Sequence, residues 1–225
     1  LSNICIQRDH YCVTDKADGQ RKLLFIEGKD LKLYFISSNF DITFTGLYLT
    51  NENKQYSNTI IDGELITQDK HGKPISLFAA FDIYFLNGVD KRSLVFRDIG
   101  NKTQDRYSLL KSTIKHLSVE CLSITGENSN KLQIIMKHFF FSSPNDKNSL
   151  FVANKQCFES LKEHPYNTDG FIYTPMMLGV TQESLDDKVK DTKYTWAHSF
   201  KWKPPEFNTI DFLISVKNHG SNNSV

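Results

Sequence analysis

Four residues near the front of the chain have the types and spacing for covalent chemistry on a phosphate. They are Lys16, Asp18, Gly19 and Arg21, in the order K-x-D-G-x-R. A lysine amine is a nucleophile that can attack the α-phosphorus of a nucleoside triphosphate and hold the nucleotide covalently. Residues i and i+2 of an extended segment point the same way, so Lys16 and Asp18 are expected to face one pocket. Gly19 permits a sharp turn or a close approach of backbone to ligand. Arg21 offers a planar fork of donors to ribose or phosphate oxygens. The plain alternative is a polar hairpin turn with solvated charges, because so short a string also arises by chance.

Four further segments carry charges that need a reason. Asp62-Gly63-Glu64 follows a β-branched run, Thr59-Ile60-Ile61. In a regular strand Asp62 and Glu64 share one face, and Ile61 and Leu65 share the other. Two neighbouring carboxylates require a cation, a sugar hydroxyl or a metal. The alternative is an Asp-Gly turn opening a hairpin, since Gly72-Lys73-Pro74 marks a turn nearby. Leu77 to Leu86 reads as a buried strand whose one charge, Asp82, must have a partner. Phe81, just before it, is open between stacking on a base and filling the core. Asp169-Gly170-Phe171-Ile172 sets Asp-Gly at the head of another strand. In Phe200-Lys201-Trp202-Lys203, alternation puts both lysines on one face and both aromatics on the other. Two ammonium groups on one face repel unless an anion lies between them; a solvated edge strand is the alternative.

The elements that must position these groups follow from periodicity. Lys22 to Glu27 and Leu31 to Ser37 flank Gly28-Lys29-Asp30 as a β-hairpin. Thr43 to Leu49 reads as a strand, followed by a polar loop from Thr50 to Asn58. Leu110, Ile114 and Leu117 give Arg106 to Leu117 a helical stripe. Lys131 to Phe141 reads as a strand. A second helix runs from about Asn148 to Glu163 and stops before Pro165. Thr181 to Lys193 is charged and glycine-free, a loop or short helix. Ile210, Phe212, Ile214 and Val216 alternate with Asp211, Leu213, Ser215 and Lys217 as a last strand, and Asn218 to Val225 is a polar tail. No internal repeat or internal domain linker is visible.

Composition narrows the partners. With 225 residues, 39% hydrophobic and 24% charged, the chain suits a soluble globular protein with a sizeable core. Seventeen phenylalanines point to a strand-rich core built on Phe. The net charge is only +1, so a nucleic-acid partner must be held by a local basic groove. Cys5, Cys12, Cys121 and Cys157 form no C-x-x-C pair. That argues against a zinc site and for a reduced, cytoplasmic protein. No apolar run approaches the ~18 residues of a membrane span, and no signal peptide is present. The Asn101-Lys102-Thr103 sequon is read as chance. A start at Leu1 suggests a domain excised from a longer polypeptide.

Taken together and in order, K-x-D-G-x-R, D-G-E, Phe-Asp, D-G-F-I and K-W-K resemble motifs I, III, IIIa, IV and V of the covalent nucleotidyltransferase superfamily, which contains capping enzymes and ATP-dependent ligases. Within it the chain is most similar to the mRNA guanylyltransferases of large cytoplasmic DNA viruses and cytoplasmic plasmids. The stretches that carry this are Val13-Thr14-Asp15-Lys16-Ala17-Asp18-Gly19, Asp62-Gly63-Glu64-Leu65, Phe81-Asp82-Ile83-Tyr84 and the run from Lys201 to Leu213, K-W-K-P-P-E-F-N-T-I-D-F-L.

The resemblance implies an α+β fold, with antiparallel sheets flanked by helices around a nucleotide-binding cleft, like the ATP-grasp-type domain of capping enzymes and ligases. It implies that Lys16 attacks GTP, that a lysyl-GMP phosphoramide forms, and that GMP then passes to the 5′-diphosphate end of RNA. Asp18, Gly19, Arg21 and Glu64 would serve the ribose and lysine environment. Phe81 would stack on guanine, Arg106 would lie near the nucleotide, and Lys201 and Lys203 would hold the α-phosphate. Glu64 and Asp169 would face a divalent metal, Mg²⁺ or Mn²⁺. Cations at Lys201, Lys203 and Arg21 would help the attacking amine lose its proton.

By the same likeness, residues 1–217 are the nucleotidyltransferase domain and 218–225 a tail. The family's oligonucleotide-binding-fold domain is absent from this sequence, and full activity is expected to need it. A triphosphatase and a methyltransferase are expected on the same or a partner chain, with a viral factory or virion as the setting. Two rivals stand beside this reading: an ATP-dependent polynucleotide ligase adenylation domain, and a catalytically silent module that binds nucleotide or RNA ends.

Overall fold

A computed structural model of the chain describes residues 10–49, 51–100, 104–117, 119–121, 132–143, 146, 148–183, 196–210 and 212–214. The sequon, most of the charged stretch 181–193 and the tail 218–225 lie outside these. The described strands form two sheets. The smaller comprises β1 (Tyr11–Ala17), β10 (Phe140–Phe141), β11 (Thr168–Pro175) and β12 (Phe200–Trp202), in the order β10-β1-β11-β12. The larger comprises β2 (Gln20–Ile26), β3 (Lys32–Ile36), β4 (Ile42–Leu49), β5 (Thr59–Gln68), β6 (Pro74–Leu86), β7 (Val89–Asp90) and β8 (Val119–Cys121), in the order β7-β6-β5-β2-β3-β4-β8. A further strand, β9 (Gln133–Met136), pairs with β6 in parallel. The other described pairings are antiparallel, as expected of an α+β domain.

Among the described residues two α-helices cover the sheets. α1 (Arg106–His116) lays Leu110, Leu109 and Ile114 on the larger sheet's core of Leu24, Ile26, Leu33, Leu47, Ile61 and Phe78. Its first turn is capped by Asp105, whose carboxylate accepts from the Ser108 amide at 2.6 Å. α2 (Ser149–Ser160) sets Ala153 and Cys157 against Val13 and Phe171 of the smaller sheet. Cys12 and Cys157 are buried free thiols. Among the described residues no helix is long and apolar enough to cross a membrane.

Among the described strands the chain crosses between the sheets at two places, and both matter for the site. β1 and β2 do not pair with each other: β1 belongs to the smaller sheet and β2 to the larger. The K-x-D-G-x-R motif is therefore an inter-sheet crossover, not a hairpin turn. Gly19 makes it possible, because a Cβ there would lie 2.7 Å from the Leu65 carbonyl oxygen and 2.8 Å from Glu64 Cγ. The second crossover breaks the single strand expected over Lys131 to Phe141. β9 lies in the larger sheet and β10 in the smaller, with Lys137, His138 and Phe139 between.

Two other expectations change. The polar segment after β4 forms a short 3-10 helix, Asn51–Tyr56. The strand expected from Ile210 onward is absent among its described residues, where Ile210, Phe212, Leu213 and Ile214 are exposed. Alternation records which side chains need burial; a strand forms only where a sheet edge receives it.

Candidate active site

Lys16 and Asp169 meet because of a bulge. Along β1 and β11, Asp15 pairs with Phe171 and Ala17 with Thr168, so Lys16 faces the two residues Asp169 and Gly170. A bulge of this kind re-aims a side chain. Gly170 has φ +147°, a conformation that L side chains rarely adopt, and an added Cβ would run into the Trp202 backbone carbonyl. Asp169 is thereby directed at the lysine. Lys16 Nζ donates to its two carboxylate oxygens at 2.7 and 2.9 Å. Lys203, just past β12, reaches the same carboxylate at 2.7 Å. One carboxylate thus gathers two ammonium groups from separate strands. Burial raises the Asp169 carboxyl, and the two lysines overcome that and hold it below the usual carboxylate range.

Glu64, on β5, faces this cluster from the larger sheet. Its side chain is half-buried and makes no hydrogen bond to a described residue. Burial pushes its carboxyl above the ordinary range, while Lys137, Lys16 and Lys201 pull it back. Lys201 is exposed on β12. Asp18 is exposed at the crossover, and its amide donates to the Asn167 carbonyl at 2.9 Å.

Arg21 lies opposite Glu64 in the β2–β5 register but binds Asp62. Its Nε lies 3.0 and 3.2 Å from the carboxylate oxygens and its Nη2 2.6 Å from Oδ2. Asp62 is fully buried, and its other donor is the Tyr84 hydroxyl at 2.6 Å. Burial pushes Asp62 up against the pull of Arg21 and Tyr84. The first carboxylate of the D-G-E motif, Asp62, is therefore partnered inside the protein and only Glu64 is free to face a ligand.

Phe81 sits on a second bulge. Gly63 pairs with Ala80 and Asp62 with Asp82, which leaves Phe81 as the extra residue of β6. It is half-buried. The shift sets Asp82 directly across from Asp62, and each carboxylate has its own arginine. The partner of Asp82 is Arg106, with Nε at 2.8 Å and Nη2 at 3.2 Å. Arg106 is 0% exposed and also donates to the Leu94 and Leu178 carbonyls. The structure does not bring Arg106 to the cleft. It anchors the start of α1 to β6, and a guanidinium with its donors committed inside the core does not reach a nucleotide.

Directly behind the lysine lies a network that the motifs do not announce. Asp15 is buried, and its carboxylate lies 3.1 Å from Lys137 Nζ and 3.4 Å from His164 Nε2. Lys137 Nζ also donates to the Asp15 carbonyl at 2.5 Å, while its backbone amide donates to Ala80 at 2.8 Å. Lys137 thus ties β1 to β6 at the second crossover. Burial raises the Asp15 carboxyl, and Lys137 and His164 together bring it below the usual range. The hydrogen bond to Asp15 raises His164 in turn. The one sequence signal for Lys137 is a charge inside an apolar run, Ile134 to Phe141. Among the described residues no group of three or more His, Cys, Asp or Glu converges on a metal position.

Known proteins resemble the chain over most of its length. The family profile described as mRNA capping enzyme, catalytic domain, matches residues 4–205. A protein named Probable mRNA-capping enzyme, from Acanthamoeba polyphaga mimivirus, is 30% identical over 241 residues, covering 93% of this chain and 20% of that protein. An mRNA-capping enzyme from African swine fever virus (isolate Pig/Kenya/KEN-50/1950) is 28% identical over 205 residues, covering 91% of this chain and 18% of that protein. The chain thus spans a small part of each relative. Among solved structures, the one named "Pmar-Lig_PreS3" has a TM-score of 0.52 at 12% identity, over 90% of this chain and 44% of that one. At that identity the likeness is one of fold alone.

Proposed function

The chain belongs to the family of mRNA capping enzyme catalytic domains, and from that premise we propose that it moves GMP from GTP onto Lys16 and then to the 5′-diphosphate end of RNA. The observation that carries this is the Lys16–Asp169–Lys203 cluster, a nucleophile and a phosphate-binding cation joined by one carboxylate.

In the first step the Lys16 Nζ lone pair attacks the α-phosphorus of GTP. The P–N bond forms, the bond to the bridging α–β oxygen breaks, and pyrophosphate leaves with that electron pair. The amine must shed a proton, and its nearest acceptor is Asp169 at 2.7 Å. In the second step an oxygen of the RNA β-phosphate attacks the same phosphorus, the P–N bond breaks, and Lys16 recovers its proton. Lys16, Lys201 and Lys203 outnumber Asp169 and Glu64, so the lysine end of the cleft favours the triphosphate. Catalysis of this class is mostly positioning and charge neutralisation. Arg21, already charge-compensated by Asp62, suits the neutral hydroxyls of ribose, with Asp18 and Gly19 beside it at the crossover. Phe81, released by its bulge, suits stacking on guanine.

A divalent cation, Mg²⁺ or Mn²⁺, fits this donor set through Glu64, a half-buried carboxylate with no protein partner among the described residues. Mg²⁺ is commonly held by one or two carboxylates plus substrate phosphates. Bound there, it would neutralise phosphate charge. Asp169 is less free, because its oxygens are already shared by two lysines. Further capping activities, a triphosphatase, a methyltransferase and an oligonucleotide-binding-fold domain, are proposed for the same or a partner polypeptide. The length of the relatives beyond the matched region supports this.

The test is incubation with each α-labelled triphosphate and metal, followed by mass mapping of the adduct. GMP on Lys16 is expected, with no label on Lys16→Ala or Lys16→Arg, since arginine stays protonated. Labelling by ATP alone would point to ligase-type adenylation. A label that survives either substitution would remove Lys16 from the mechanism.

A further inference from the structure

We propose that Tyr84, acting through Asp62, is a positioning residue that sets Arg21 for nucleotide binding; this rests on the reading above that Arg21 contacts the nucleotide.

Arg21 is 63% exposed at its side chain, and a long exposed arginine ordinarily samples many rotamers. Here one edge of the guanidinium is fixed. Nε and Nη2 are both spent on Asp62, which leaves Nη1 and the outer hydrogen of Nη2 as a two-pronged edge turned away from that carboxylate. A fork fixed on one side and open on the other is a preorganised donor pair, and preorganisation strengthens binding by removing ordering cost.

Asp62 can fix the fork only if it is itself fixed and charged. It is buried, lies opposite Asp82 across the strand pair, and stands in a setting that disfavours its charge. Tyr84 answers both needs. Its hydroxyl donates to Oδ2 at 2.6 Å, the same oxygen that receives Arg21 Nη2. Burial pushes the phenol far above its ordinary range, so it remains a donor at any working pH. Arg21 Nη2 also lies 3.5 Å from the Tyr84 oxygen, which closes a three-residue ring of β2, β5 and β6. Tyr84 lies two residues past Asp82 on β6 and does not belong to the K-x-D-G-x-R or D-G-E motifs.

The experiment is a double-mutant cycle on the full chain, reading GTP affinity by calorimetry and labelling rate at saturating GTP and Mg²⁺. Tyr84→Phe is expected to weaken GTP binding about 3- to 10-fold, the size of one lost hydrogen bond, and to change the saturated rate less than about 2-fold. Arg21→Ala is expected to weaken binding more. In the Arg21→Ala background, Tyr84→Phe should add less than about 2-fold, because its effect passes through the arginine. The isosteric Asp62→Asn gives a second arm, with a loss of affinity at least as large as that of Tyr84→Phe. A Tyr84→Phe penalty of equal size in both backgrounds, or none while Arg21→Ala weakens binding, overturns the positioning role. No loss of affinity in Arg21→Ala itself overturns the assignment of Arg21 to the nucleotide, a separate failure.

Discussion

Lys16 and Asp169 are 153 positions apart in the chain, and their charged groups lie 2.7 Å apart. The contact depends less on either residue than on the register slip between β1 and β11 and on the glycine that makes the slip possible. In a regular ladder Asp169 would take an alternating place in β11 and would not share the face of Lys16 in this way. The bulge puts the carboxylate at the lysine, and Lys203 joins from the next strand.

Asp169→Asn keeps the shape of this contact and removes its charge. Both lysines then lose their common anion and their fixed spacing. Covalent labelling is expected to fall roughly 10²-fold, the order of loss caused by misplacing a reacting group. Single-turnover labelling with GTP checks this, and a rate within about 2-fold of wild type would remove Asp169 from the chemistry.

Gly170→Ala tests the bulge itself. A side chain at φ +147° is strained, and its Cβ would meet the Trp202 carbonyl and lie 3.1 Å from Lys203 Cα. Strain of this kind costs about 1–3 kcal/mol. Denaturant unfolding should show that loss, and labelling should fall further than stability does, because β12 carries both Lys201 and Lys203 past this point. Equal stability would mean that β12 yields easily.

Lys201 and Lys203 separate in the structure although alternation gives them one face. Lys203 is ion-paired with Asp169, and Lys201 is exposed. Lys201→Ala is expected to leave stability within about 0.5 kcal/mol while lowering GTP affinity. Lys203→Ala is expected to lower the saturated labelling rate as well. Identical kinetic losses in both variants would show that the shared face, not the Asp169 contact, is what matters.

The charged motifs were legible because residue type and spacing reveal them. Lys16, Asp169 and Lys203 meet in one cluster, and Glu64 lies near enough for the charge of Lys16 to act on it. What was not legible depends on register. Alternation along β5 pairs Asp62 with Glu64, yet only the fold shows that one is consumed by Arg21 and Tyr84 and the other is open. Arg106 reads like an active-site arginine from sequence position, but the helix start at Asp105 turns it into the core toward Asp82. Lys137 and His164 carry no motif, because their partner Asp15 is distant in sequence. The alternating residues after Ile210 carried a real apolar signal, but a strand also needs a receiving edge.

Arg106→Met measures the structural role directly. Removing one partner of a buried pair leaves Asp82 uncompensated, which costs about 3–5 kcal/mol. The folded fraction should bind GTP with unchanged affinity, since Arg106 lies outside the cleft. Loss of affinity in protein that is fully folded, judged by circular dichroism at the same temperature, would return Arg106 to the nucleotide.

The Asp15–Lys137–His164 network makes stability depend on pH in two directions. His164 is raised by its hydrogen bond to Asp15, so its contribution is complete below its unfolded value of about 6.5. It is lost as pH rises through the folded value. Asp15 is lowered, so its contribution is complete above its unfolded value of about 3.9 and is lost as pH falls through the folded value. Denaturant midpoints should therefore decline as pH rises from 6 to 9 in the wild-type chain. His164→Gln keeps a polar side chain without the titrating ring, so the variant should lose most of that decline while its acid-side fall persists. A wild-type and variant pair with the same slope above pH 6 would show that His164 stays neutral beside Asp15 and that Lys137 alone balances the carboxylate behind Lys16.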